Sequence, residues 1–429
     1  MYTWVIDMWG KNKSKSLNFF FLPSFFYFLF ISPVSAVDCE EAKGTLNISL
    51  LIFSVEQRNA FEEIAVNFSA QCPGIDIVYS SSDDTGYKQM TGLWLSDNPN
   101  LDLMVWLWPF ELKKVAERGL IEPLTSLWTE PELQKYPNEM KELITHKGEQ
   151  FGVPLSVGFW GFFANQNVLQ EFNINRLESI SDLLSACRTL SRNQIVPIGL
   201  GLEEKWPVLT LLDHLNLKVN GLSFHNQLME GKIKFTDEKM LAVLQLLREM
   251  IDSQCFLESA DEYTQKQVLP LLYRDRAGMV LSGNFMISQI PEAVSEKLKF
   301  IPFPSVDKNV SQSEVAPTDF LILRASSRQK SLAKVFLRYV VQDDVQALLN
   351  KRLNFLPAHP NAQISEVRFV QDGKTNLKNA EGVVQFFDRS TSRDYYEPLS
   401  DILVDFMETG NVDKTALEME AVRQRLFDS

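Results

Sequence analysis

Six tryptophans follow residue 36, and four of them stand where a chain presents side chains to a ligand. Trp106 and Trp108 close the apolar run LDLMVW (101–106) and lie two apart, a spacing that puts both on one side of an extended segment. Trp206 directly precedes Pro207, behind the charged loop Glu203-Glu204-Lys205, and Trp160 follows Gly158. Polar groups hold comparable positions. Asn284 and Phe285 end the run AGMVLS, and Thr318 and Asp319 open DFLILR. Glu56 follows a first apolar run, and Asp84, with Ser81 and Asp83, follows a second. Flat indole faces beside fixed donors and acceptors suit a ligand with C–H faces and hydroxyl edges. Burying such a hydroxyl without a partner costs about 1–3 kcal/mol. Each residue also has a packing role open to it. Large aromatics fill cores, carboxylates cap helices, and Asp and Ser shape turns.

The chemistry of bond-breaking has no comparable signature. The chain has no GxSxG elbow, no GxxxxGK[ST] loop and no GxGxxG after its first strand. The Gly-x-Gly of IGLGLEE (198–204) is a single pair. His146, His214, His225 and His359 form no HExxH or other metal-ligand spacing, so neither metal nor cofactor is expected. Among 55 acidic residues some carboxylates face each other by chance, so a glycan hydrolase stays open as an alternative. A net charge of −13 argues against nucleic acid, which attracts a Lys/Arg surplus.

The elements that must position these residues read as alternating strands and helices. TLNISLLIF (45–53) is β-branched and uncharged. Ser54 caps a helix whose Phe61, Ile64, Ala65 and Phe68 recur at helical spacing up to Pro73-Gly74. Strands at 75–80 and 101–106 and a helix at 110–118 complete a doubly wound α/β unit. The aromatic, glycine-bearing stretch 149–165 reads as a crossing segment rather than a strand of one sheet. A second α/β region follows, with helices at 179–191, 207–219, 236–253 and 328–342. Its strands fall at 195–201, 277–282, 298–303 and 319–324, and the last 50 residues are mostly helical.

Residues 1–36 stand apart. Lys11, Lys13 and Lys15 precede a 15-residue apolar run from Leu17 to Ile31, and SPVSA follows. That order is a secretory signal, and the run is short of the roughly 20 residues of a membrane span. Cleavage is expected after Ala36, with an uncleaved anchor as the alternative. Export implies an oxidising compartment, in which Cys39 and Cys72 are expected to pair. Cys187 and Cys255 either pair or remain buried thiols.

Several segments resemble the extracellular solute-binding proteins of bacterial ABC importers, the carbohydrate-binding family related to maltose-binding protein. CPGIDIVYS, LDLMVWLWPF and RGLIEPLTSLW resemble its first lobe, and FGVPLSVGFWGFFANQNVL its crossing strand. GLEEKWPVLTLLDHLNLKVNG, GKIKFTDEKM and AGMVLSGNF resemble its second lobe. PTDFLILRASSRQKSLAKVFLRYV and NFLPAHP resemble the return. The matches run in order from about residue 45 to 360. Phe285 stands where the family often has Trp.

The resemblance implies two α/β lobes joined by crossings near 154–160, 315–319 and 352–357, with a ligand cleft between them. Lobe one is then 37–155 plus 319–352, and lobe two is 156–318 plus 353–429. It further implies a monomeric, periplasmic or extracellular protein that captures a sugar or oligosaccharide and hands it to the permease subunits of an importer. Trp206, Trp106, Trp108, Trp160, Asn284, Phe285, Thr318, Asp319, Glu56 and Asp84 are the candidate contacts. A ligand-sensing subunit for a membrane receptor is an alternative on the same fold.

Overall fold

The computed structural model describes residue 39, residues 43–98, 100–307 and 310, and residues 312–428. The expected signal segment 1–36 lies outside the described residues. The first α/β unit forms as its pattern requires. Strand β1 (Gly44–Leu51) leads into helix α1 (Val55–Gln71), β2 (Ile75–Ser82), α2 (Asp84–Asp97), β3 (Leu103–Trp106) and α3 (Pro109–Glu117). Ser54 caps α1 by accepting from the Gln57 amide at 3.2 Å. Phe61, Ile64 and Phe68 bury the inner face of that helix. Pro109 occupies the first turn of α3, where its missing N–H has no intrahelical partner to lose.

The stretch 149–165 divides into two strands, β4 (Val153–Val157) and β5 (Trp160–Asn165), broken at Gly158-Phe159. Further along the chain come α4 (Ile180–Arg192), β6 (Val196–Gly199), α5 (Trp206–Met229) and α6 (Glu238–Asp252). Strands β7 (Ala277–Gly283), β8 (Leu298–Ile301) and β9 (Thr318–Leu323) follow, then α7 (Lys330–Val340), α8 (Asp343–Leu353) and β10 (Leu356–Pro357). The C-terminal part is helical: α9 (Arg368–Asn379), the short α10 (Phe387–Ser390), α11 (Arg393–Thr409) and α12 (Val412–Phe427).

Two sheets result. The larger runs β10-β4-β9-β3-β1-β2 and the smaller β8-β5-β7-β6. In the larger, β1 pairs parallel with β2 and β3, whereas β9 inserts antiparallel between β3 and β4. The return strand therefore joins a sheet begun about 270 residues earlier. In the smaller, β7 pairs parallel with β6 and antiparallel with β5. One apolar core surrounds the larger sheet and a second the smaller. A small third cluster, centred on Trp160, lies where the two approach.

Cys39 and Cys72 are joined, with Cα atoms 5.5 Å apart, fastening the start of the described chain to the end of α1. Cys187 and Cys255 are also joined, at a Cα separation of 4.8 Å, tying α4 to the residues after α6. Among the described residues no helix is long and apolar enough to cross a membrane.

Candidate functional site

The β4–β5 break is where the chain leaves one sheet for the other, and the site is built around it. Gly158 is needed there, since a Cβ would lie 3.0 Å from the Pro317 ring and 3.2 Å from the Asn284 amide oxygen. The Gly158 amide donates to the Pro317 carbonyl at 2.7 Å, binding two crossings together. Asn284 completes the junction. Its Oδ1 accepts from the Phe159 amide at 3.0 Å and its Nδ2 donates to the Asn354 carbonyl at 2.9 Å. Both ends of that amide are thus engaged in positioning the backbone.

Five rings, each from a different part of the chain, meet above this junction. Trp160 opens β5, Trp206 opens α5, Phe285 follows β7, Phe53 follows β1 and Phe386 precedes α10. Trp160 meets Trp206, Phe285 and Phe386 edge-on, at centroid separations of 5.8, 5.6 and 4.6 Å. Phe285 stacks on Phe53 at 4.5 Å, so a ring from the small-sheet side lies flat on one from the large-sheet side. All five line one cavity, together with Trp108, Gln57 and the aliphatic walls of Leu51, Leu155 and Leu353. Edge-to-face packing is the arrangement that aromatic quadrupoles favour, and it holds the rings in fixed orientation.

Charged groups enter this aromatic cavity in two pairs. Asp319, on β9, accepts from the Arg389 guanidinium at 3.1 Å and from the Ser156 hydroxyl at 3.3 Å. Burial pushes the Asp319 carboxyl above its ordinary value, and Arg389 opposes that shift. Asp388 faces Lys88 of α2 at 3.6 Å. Helix α10, which carries Asp388 and Arg389, packs against both α5 and α3 and so touches both sides of the cleft. A fixed carboxylate and guanidinium side by side supply an acceptor and a fork of donors, a set that holds neighbouring hydroxyls.

The ten candidate positions fall into distinct places. Trp108, Trp160, Trp206, Asn284, Phe285 and Asp319 line the cavity. Trp106 is 2% exposed, and its Nε1 donates to the Trp108 carbonyl at 2.6 Å. It borders an adjoining groove instead. Strand β3 ends at Trp106 and Trp108 caps α3; both rings border that groove and meet edge-on at 87°. Thr318 is buried beside the cavity without lining it. Glu56 is exposed on α1, and its neighbour Gln57 faces the cavity, because one helical residue turns the side chain by about 100°. Asp84 begins α2, and its side chain lies outside the described residues. Asp102 accepts from the Asn47 amide of β1 and the Ser327 hydroxyl, tying β1 to the loop before α7.

Sequence reasoning missed Phe53, Gln57, Lys88, Phe386, Asp388 and Arg389. The aromatic pair Phe386-Phe387 inside an otherwise amphipathic helical tail was the one available signal. Among the described residues no group of His, Cys, Asp and Glu is arranged to hold a metal ion.

Comparison with known proteins agrees with this architecture. Residues 54–347 match the family model described as bacterial extracellular solute-binding protein. An uncharacterized ABC transporter extracellular-binding protein of Pyrococcus horikoshii is 21% identical over 317 residues, covering 71% of this chain and 70% of that one. A bacterial solute receptor described as having an exclusive preference for β-D-galactopyranose superposes with a TM-score of 0.80 at 20% identity, covering 89% of this chain and 98% of that one. A sugar transporter from Bacillus licheniformis, solved with stachyose, gives 0.70 at 15% identity, with 89% and 100% covered. The fold is shared with these receptors, and the family match spans most of the chain. The protein belongs to the bacterial extracellular solute-binding family.

Proposed function

We propose that this chain is the extracytoplasmic receptor of an ABC importer and that its ligand is a neutral sugar or oligosaccharide held between two lobes. The observation that carries this reading is the ring cage, with Asp319 and Arg389 set into it, at the junction of the two sheets. Apolar sugar faces stack on rings, and sugar hydroxyls need fixed polar partners in a buried site. Ligand pockets favour the space between domains, and hinge closure around the ligand is a known device of such receptors.

The lobes are residues 37–155 plus 319–352 and residues 156–318 plus 353–429, with β10 of the second set pairing into the larger sheet. Residues 1–36 act as a secretory signal cleaved between Ala36 and Val37, and the two disulfides suit an oxidising compartment. The receptor works as a monomer, without a cofactor, and docks on the importer's permease subunits. A thermal-shift screen against mono- and oligosaccharides tests the ligand class, since a ligand that binds only the native state raises the melting temperature. Stabilisation by at least one saccharide, with none by amino acids or inorganic phosphate, is the expected result. Stabilisation by phosphate or amino acids alone overturns it. N-terminal sequencing of the exported protein tests the processing site: it should begin at Val37, and retention of Lys11 to Lys15 refutes cleavage.

A further inference from the structure

Helix α5 sends one buried acid to the turn that carries three of the cavity's residues. Asp213 is 1% exposed, and its Oδ2 accepts from the Phe387 amide at 3.0 Å. Phe387 stands between Phe386 and Asp388, which line the cavity, with Arg389 next along the chain. The Phe387 ring does not line that space and packs on Tyr395, at a centroid separation of 5.0 Å. The turn closes on itself. The Arg389 and Ser390 amides donate to the Phe386 carbonyl at 3.1 and 2.9 Å, and the buried Thr391 hydroxyl donates to the Phe387 carbonyl at 2.7 Å. Fixing the Phe387 amide therefore fixes Phe386 against Trp160, Asp388 against Lys88 and Arg389 against Asp319.

The acid is itself held from behind. Its Oδ1 lies 3.6 Å from His225 Nε2, and His225 Nδ1 lies 3.1 Å from Asn216 Nδ2. Asn220 Nδ2 donates to Asn216 Oδ1 at 2.9 Å and to the Lys239 carbonyl of α6 at 3.1 Å. A chain of side chains thus runs from α6 through α5 to the seat of α10. Among the described residues the Asp213 Oδ1 has no hydrogen-bond partner, and burying a carboxyl so incompletely satisfied is costly for folding. An apolar side chain of similar volume would pack there more cheaply but would leave the Phe387 amide without its acceptor. The carboxyl supplies direction instead, one fixed acceptor for one amide.

We propose that Asp213 is a positioning residue for the ligand site. Without lining the cavity, it sets the seat of α10, and with it the placement of Asp388 and Arg389 toward the ligand and across the cleft. This rests on the receptor reading above and extends it to a residue with no ligand contact.

The test sets Asp213→Ala beside Arg389→Ala and beside Asp213→Asn, which keeps an acceptor for the Phe387 amide. Hydrogen exchange of residues 386–391 is read without ligand. Affinity is read by calorimetry with the tightest binder among glucose, galactose, xylose, maltose and chitobiose. Asp213→Ala should speed exchange across 386–391 by about tenfold or more and weaken binding by about tenfold or more. Asp213→Asn should stay within about threefold of wild type on both. Added to Arg389→Ala, Asp213→Ala should cost less affinity than it does in wild type, because part of its effect passes through that guanidinium. If Asp213→Ala does not fold, Thr391→Val loosens the same turn from its other end and carries the same expectation. Wild-type affinity in Asp213→Ala overturns the proposal. So does weaker binding with exchange unchanged, a loss that adds in full to that of Arg389→Ala, or an equal loss in Asp213→Asn. Each of these leaves the receptor reading standing. Failure of every sugar to bind wild type overturns the receptor reading and this proposal with it.

Discussion

Trp160 and Trp206 touch each other and yet do different work. Trp160 is 6% exposed and meets three other rings, whereas Trp206 is half-buried and borders both the cage and the groove. Trp160→Ala should therefore lower stability by about 3–5 kcal/mol, the usual cost of emptying a buried aromatic site. Trp206→Ala should cost about 1–3 kcal/mol of saccharide affinity, by analogy with stacking on nucleic-acid bases, and only a few degrees of melting temperature. Chemical denaturation of both variants, beside titration of Trp206→Ala, checks the division; equal affinity for wild type and Trp206→Ala would remove that ring from the site. Trp206 was legible because a large aromatic in a charged loop before a helix has little local reason to be core. Trp106 borders the adjoining groove rather than the cage, because its indole N–H is tied back to the Trp108 carbonyl where β3 gives way to α3, a contact no spacing rule shows. Asp388 and Arg389 were illegible, since nothing local shows that a helical tail turns back to the cleft to meet Asp319, 70 residues away.

Most elements could be read from periodicity because their buried faces repeat at the helical or strand period. What could not be read was pairing, such as β9 entering the large sheet antiparallel, since partners so far apart leave no local trace. Helix α5 carries a consequence of its own. Asp213, His214 and His225 are fully buried on it, and the Asp213 Oδ2 accepts from the Phe387 amide at 3.0 Å, holding the first residue of α10. Burial lowers His214 to about 4 and His225 to about 3 and raises Asp213 well above its ordinary value. A histidine depressed in the native state contributes stability that is complete above its unfolded value near 6.5 and is lost as pH falls toward the native value. A carboxyl raised in the native state does the reverse, favouring the fold at low pH and losing that contribution as pH rises above about 4. Between about pH 4 and 6.5 the two histidines outweigh the one carboxyl, so stability should fall from pH 7 to 5. Asp213→Asn removes the compensating group, so its loss over the same range should be steeper. Unfolding free energies at pH 7, 6 and 5 check this; parallel profiles for the two proteins would refute it.

At the scale of the molecule, polar contacts between the two sides of the cleft include Lys88 with Asp388, Asp319 with Arg389, and the Ser54 hydroxyl with that of Ser288 at 3.1 Å. Partly exposed ion pairs contribute roughly 0–1 kcal/mol each, small for stability but enough to shift an open–closed equilibrium several-fold. The double variant Asp388→Ala/Arg389→Ala should thus have a larger radius of gyration by small-angle scattering without ligand. Saturating saccharide should restore the wild-type value, at a weaker affinity. An unchanged radius would show that the aromatic contacts alone hold the cleft closed. The disulfides act on the unfolded chain instead. Cys39→Ser opens a loop of sequence separation 33 and should cost about 2–4 kcal/mol, read by denaturant titration, without altering ligand affinity.

Asn284 gives the molecule a bearing. One carboxamide clips the strand leaving the large sheet to the backbone of Asn354, whose left-handed conformation (φ 60°) turns the chain out of α8. In the lobe closure proposed above, the parts turn about that clip, while the cage rings Phe53, Trp206 and Phe386 lie on other segments. Replacing rings in the cage should therefore retune what is captured and leave the arc of the swing alone. A pair of dyes spanning the two lobes would report any cargo the rings are redesigned to hold, with one calibration serving a whole set of sensors.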